Sequence, residues 1–186
     1  MPAATTSWFC DSCGGLIEAA GRGWVEWVRL PGPTGSPPRG RGIRIVHHTW
    51  DTPNRFGCQY SGTRAPAARG GGVSDDALVE FLGPDGLTRL LGMIAEGSLP
   101  TADLLEVIRR LHTPGYEWAR PHFDAALEGR VIVEGVASGG WRQSELQSVL
   151  DFARGHGWPF PPRAFTLTPP RRSSGTSGAR PHARTG

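Results

Sequence analysis

Cys10-Asp11-Ser12-Cys13-Gly14-Gly15, with His47-His48 and Cys58 downstream, is the stretch on which the reading of this 186-residue chain turns. A zinc ion takes about four ligands in a tetrahedron, and two thiolates two residues apart reach it from one tight turn whose following amides point at the sulfurs. Glycine at 14 and 15 lowers the cost of that turn because glycine tolerates positive φ. Between Cys13 and His47 lie 33 residues, and ten more separate His47 from Cys58. With three cysteines a disulfide framework would leave one thiol over, whereas three thiolates and an imidazole make an ordinary structural zinc shell. The expected ligands are Cys10, Cys13, His47 and Cys58, with His48 as the alternative imidazole and Asp51 as a substitute oxygen ligand.

Working outward, residues 24–30 and 43–48 are β-branched and aromatic, and they flank a Pro/Gly/Arg-rich segment, 31–42. That pattern predicts a hairpin with a long tip. By the two-residue period Ile43, Ile45 and His47 share one face and Arg44, Val46 and His48 the other, so His47 is preferred as the inward imidazole. Residues 61–73, with Gly70-Gly71-Gly72, read as a linker.

From Ser74 the period becomes helical. Ser74-Asp75-Asp76 reads as a helix start before Ala77, Leu78, Phe81 and Leu82, with Gly83-Pro84 ending that helix and opening the next. Leu87, Leu90, Leu91 and Ile94 repeat at i, i+3, i+4, i+7, and Leu104, Leu105, Ile108 and Leu111 do the same after Pro100-Thr101. Residues 116–127 form a further helical stripe with Pro121 near its first turn or at a kink, 130–134 a short strand, and 145–155 a last helix. The organisation expected is therefore α+β: a zinc-stabilised β-hairpin module at 1–60, a linker at 61–73, a segment of four to five helices at 74–158, and a disordered Arg/Pro/Ser-rich tail at 159–186.

The cysteine, hairpin, histidine and cysteine order resembles treble-clef and zinc-ribbon modules, including LIM-type fingers, over roughly residues 8–60. In those modules Cys-x-x-Cys-Gly opens a knuckle, a hairpin follows, and a His and a Cys complete the site. The resemblance implies a closed structural zinc site. This chain departs from the pattern in its His-to-Cys gap, which exceeds the usual two to four residues and weighs on Cys58 more than on the first pair. Trp8-Phe9-Cys10-Asp11-Ser12-Cys13 is also similar to the redox motif of thioredoxin-like enzymes, but that motif follows a strand inside a βαβ unit, and here nine residues precede the first cysteine.

All 20 basic residues are Arg, and with abundant Gly and Pro this points to a GC-rich, bacterial genome. The net charge of +3 conceals segregation: residues 1–74 carry +4, residues 75–158 carry −6, and the tail carries five Arg and no acid. The basic balance is thus no general nucleic-acid signature. Met1–Phe9 has no signal-peptide pattern and no stretch reaches the roughly 20 apolar residues that span a bilayer, so a cytoplasmic protein without membrane contact is expected.

Other constellations are weaker. Residues 87–111 have helix-turn-helix length, but the second helix starts with Ala102, Asp103 and Glu106 rather than base-reading residues, which favours an ordinary helical hairpin. Arg39, Arg41 and Arg44 with Trp24 and Trp27 can grip phosphates and stack bases; Trp24, Trp27 and Trp118 are also interface candidates. Tyr116-Glu117 with Arg120 and His122 reads as a solvated helix face before it reads as an anion site. No Gly-x-Ser-x-Gly elbow, Walker loop or His-Glu-x-x-His helix occurs. The functional expectation is a non-enzymatic zinc-binding regulatory module with a protein partner. A nucleic-acid-binding regulator using the hairpin and tail, and a metal- or thiol-dependent enzyme, are the alternatives.

Overall fold

The computed structural model describes residues 6–32, 39–53, 55–60, 71–132 and 141–158. The fold is mixed α+β, with two small antiparallel sheets in the N-terminal part followed by helices. Strands β1 (Trp8–Phe9) and β2 (Leu16–Ile17) pair across the Cys10–Gly15 turn. Strands β3 (Gly23–Leu30), β4 (Arg39–His47) and β5 (Gly72–Ala77) form the second sheet in the order β4-β3-β5.

The hairpin forms where expected, but β4 begins at Arg39, so residues 39–42 belong to the strand rather than to its tip. Residues 33–38 and the tail over 159–186 lie outside the described residues, as do residues 61–70 of the linker expected over 61–73, whose last two residues belong instead to β5. A bulge interrupts the β3–β4 ladder: Glu26 faces Arg44 and Val28 faces Arg41, so Trp27 alone opposes Gly42 and Ile43. Gly42 takes φ +64°, the left-handed geometry a bulge of this kind asks of its first residue.

Residues 74–82 correct the helix expectation. Ser74, Asp75 and Asp76 lie in β5, paired with Trp27, Glu26 and Val25. Leu78–Phe81 is a 3-10 turn that buries Leu78 and Phe81 completely. Two acids after a serine suit a helix start, but the open edge of β3 offers these residues a ladder of backbone hydrogen bonds that local propensity cannot weigh.

The next two helices match their periodicity: α1 (Gly83–Glu96) ends at Gly97 with φ +62°, and α2 (Thr101–His112) follows. The stripe over 116–127 becomes α3 (Tyr116–Ala119), a 3-10 turn at Arg120–His122 containing Pro121, and α4 (Phe123–Glu128). The strand expected at 130–134 does not begin: Arg130 takes φ 55° and Val131 folds back to donate to the Ala126 carbonyl at 2.9 Å, while 133 and 134 lie outside the described residues. Helix α5 (Gln143–Gly155) completes the described chain.

Two apolar cores result. The larger joins Trp8, Ile17, Val25, Ile45 and Val46 to Leu78, Phe81, Leu90, Leu104 and Val107, drawing on residues from both sides of 61–73. The smaller gathers Tyr116, Ala119, Ala126, Leu146 and Val149, with Trp118 and Trp141 packed against it. Among the described residues no helix is long and apolar enough to cross a membrane.

Candidate metal centre

The turn between β1 and β2 closes on its own backbone: Gly14 N–H donates to Cys10 O, and Cys10 N–H to Gly15 O, both at 2.8 Å. Gly14 supplies the positive φ of 71° that this turn needs. Gly15 N–H then points at Cys13 Sγ, 3.4 Å away, and a Cβ on Gly15 would stand 3.3 Å from that sulfur. This is the amide-to-thiolate geometry expected of a cysteine knuckle.

The knuckle docks on the open edge of β4. Asp11 N–H donates to the Ile45 carbonyl at 2.8 Å, and Ile45 N–H donates to Asp11 Oδ2 at 2.7 Å. An edge strand leaves alternate backbone groups unpaired, and Asp11 satisfies both groups of Ile45. Two residues later β4 delivers His47 beside the knuckle. The chain then passes through Thr49–Asp51 and returns Cys58.

The ligand atoms of Cys10, Cys13, His47 and Cys58 all lie within 4.8 Å of one another, and this group can hold a metal ion. His47 Nδ1 is 3.5 Å from Cys13 Sγ and 3.8 Å from Cys58 Sγ. A zinc tetrahedron with bonds of about 2.0–2.3 Å has edges of about 3.5–3.8 Å, so these separations fit the donor set. His47 Nε2 is 3.2 Å from the Leu16 carbonyl, which can only accept; Nε2 therefore carries a proton, and Nδ1 faces the sulfurs, where it donates to a thiolate when the ring is doubly protonated and would offer its lone pair to a metal. Thr52 Oγ1 stands 2.9 Å from Cys58 Sγ and orients that side chain.

Electrostatics agree with thiolate formation at one end of the group. Burial opposes charge on Cys10, but hydrogen bonding from His47 and nearby backbone amides overcomes it and lowers the thiol to about 7. His47 is raised, chiefly by its hydrogen bond to Cys10 and against the effect of burial. Burial and then the charge of Cys10 push Cys13 up to about 12, and burial raises Cys58. Three thiols crowded together cannot all ionise without a cation, which is the electrostatic demand a bound metal answers.

The other ligand candidates point elsewhere. His48 stacks edge-on against Trp24 at 4.8 Å and caps the backbone N–H of Trp50. Asp51 faces Arg22 at 3.4 Å. Trp24 lies on one face of the three-stranded sheet, whereas Trp27 lies on the other against Phe81, and Trp118 packs on Phe9. Arg44 is held by Glu26, with Nε 2.7 Å from Oε1.

Sequence reading misses the group that ties this centre to the helices. Arg110, placed in the last turn of α2, is 4% exposed; it binds Glu117 with Nε and Nη2, Asp11 Oδ2 with Nη1 at 2.7 Å, and the Phe9 carbonyl at 2.8 Å. Glu117, read as part of a solvated face, is fully buried and also accepts from Phe9 N–H and Arg120. The only hint in the sequence is that Asp11 sits inside the cysteine motif, and a partner 99 residues away leaves no periodic trace. No protein-family model, curated protein or solved structure matches the chain.

Proposed function

We propose that Cys10, Cys13, His47 and Cys58 bind one zinc ion in a structural role, and that the chain is a non-enzymatic binding or regulatory module whose recognition surface this metal holds in place. One observation carries the reading: three sulfurs and one imidazole nitrogen converge within 4.8 Å, with Cys10, His47 and Cys58 buried. Four protein donors fill a tetrahedral shell, whereas catalytic zinc keeps a position open for water or substrate. The knuckle followed by a hairpin is also the order that the treble-clef resemblance implies. Bound metal contributes folding free energy on the order of 10 kcal/mol in isolated zinc-finger peptides, and here it would add to the burial of Trp8 and Ile17 and to the hydrogen bonds that join Phe9 and Asp11 to Glu117, Ile45 and Arg110.

Elemental analysis of protein purified without added metal, combined with thiol titration before and after denaturation, tests this reading. The expected result is one zinc per chain, with thiols that react only on unfolding. No metal together with three reactive thiols, or with a Cys10–Cys13 disulfide, would overturn it.

A further inference from the structure

We infer that the face of the sheet carrying Arg39, Arg41 and Arg44 binds single-stranded nucleic acid, with Trp50 and His48 stacking on unpaired bases. This names the partner of the recognition surface proposed above and rests on that reading.

The decisive feature is the β4 bulge. In a regular strand Arg39 and Arg41 would point to one face and Arg44 to the other, because side chains alternate. The extra residue at Gly42–Ile43 resets the parity. Arg39 pairs with Leu30, Arg41 with Val28 and Arg44 with Glu26, and alternate residues of β3 share a face, so all three guanidinium groups lie on one side of an edge strand. Trp24, paired with Val46, belongs to the same face. From Trp24 to Leu30 this row spans about 20 Å, a length that several nucleotides match; Arg44 and Tyr60 cover its middle, where Glu26 and Val28 are buried, and Arg39 and Arg41 stand exposed at one end.

One end of the row is aromatic. His48 meets Trp24 at 4.8 Å and Trp50 at 5.2 Å, and Trp50 is 65% exposed, the most exposed of the large apolar side chains among the described residues. Arg44 lies over the Tyr60 ring at 3.5 Å, pairing cation and aromatic in the middle of the row. Arg39 and Arg41 are exposed, and among the described residues neither joins an ion pair. The acids on this face are Glu26, fully buried under Arg44, and Asp75 on the far strand β5, so the β4 side remains cationic.

A phosphate chain matches this surface in charge, and exposed rings beside it match bases that are not already paired. An apolar protein partner would need an exposed apolar centre, but Val28 and Val46 on the same face are buried and the exposed ring, Trp50, stands at one end beside the histidine.

The test is fluorescence anisotropy of labelled 12-nucleotide single strands and the matching duplex, titrated with the full-length, metal-loaded chain over a series of salt concentrations. Arg41→Gln, the double variant Arg39→Gln/Arg41→Gln and Trp50→Ala are compared with Arg29→Gln, which removes the same charge from the opposite face, where Arg29 pairs with Gly40. We expect the single strand to bind more tightly than the duplex. R39Q/R41Q should reduce the salt slope by about 1.4, W50A should weaken binding about tenfold, and R29Q should leave binding unchanged. The inference is overturned if no strand binds at low salt, if R29Q costs as much as R41Q, if the duplex binds equally well and W50A is silent, or if polyglutamate binds with the same dependence on Arg39 and Arg41. Metal content measured on each variant separates the two readings. A wild-type chain that carries its metal and binds no strand refutes the surface alone, whereas a chain found metal-free that still discriminates R41Q from R29Q refutes the zinc site alone.

Discussion

Arg110 of α2 and Asp11 of the cysteine knuckle are 99 residues apart in the chain, and Nη1 of one lies 2.7 Å from Oδ2 of the other. The same carboxylate oxygen accepts from Ile45 N–H, so one atom joins the knuckle to both the β4 edge and the helices. Cys10 and Cys13 flank this aspartate, which makes the geometry of the metal group and the docking of α2 a single problem for the fold.

Arg110→Met is therefore expected to destabilise the protein by about 3–5 kcal/mol, because it leaves the fully buried Glu117 carboxylate without its main counter-charge. Urea unfolding followed by tryptophan fluorescence measures it. A loss below about 1 kcal/mol would mean that Arg120 and Phe9 N–H satisfy Glu117 by themselves.

The two adjacent histidines should separate cleanly. His47→Ala is expected to lose stoichiometric metal in the presence of a competing chelator, while His48→Ala and Asp51→Ala keep it, since those side chains face Trp24 and Arg22. Thr52→Val, which removes the hydroxyl beside Cys58 Sγ, should lower metal affinity about 10- to 100-fold. Chelator competition with elemental analysis reads all four variants.

Two glycines of α1 should respond in opposite directions to the same substitution. Gly92 has open space around it, so Gly92→Ala is expected to stabilise by about 1 kcal/mol through helix propensity. At Gly86 a Cβ would lie 2.1 Å from the Phe81 carbonyl carbon, and Gly86→Ala should destabilise by about 1–3 kcal/mol as the helix start is pushed off the 3-10 turn. Paired thermal or urea melts decide the sign of each.

Burial holds both His112 and His122 below the ordinary histidine range, and the Phe81 carbonyl only partly offsets this for His112. The unfolded chain then binds more protons than the folded one below about pH 6.5, so stability is full above that pH and falls as pH drops through the folded values. Urea midpoints between pH 8 and pH 5 should decline, and His112→Gln, which can still donate to Phe81, should flatten part of the decline. An equal slope in the variant would assign the effect elsewhere.

The candidate ligand types, the hairpin and the two long helices are legible in the residues alone, because each is written in local chemistry: a two-residue cysteine spacing, an alternating apolar strand, and a 3.6-residue repeat at Leu87–Ile94 and Leu104–Leu111. Asp75 and Asp76 became strand only because β3 had a free edge to pair. Arg110 and Glu117 became a buried pair only because the knuckle came to rest over α2 and α3, and Arg39, Arg41 and Arg44 came to share a face only through the bulge at Gly42. Contacts between distant segments and a parity change from one extra residue leave no periodic signal, so they emerge only when the segments pack together.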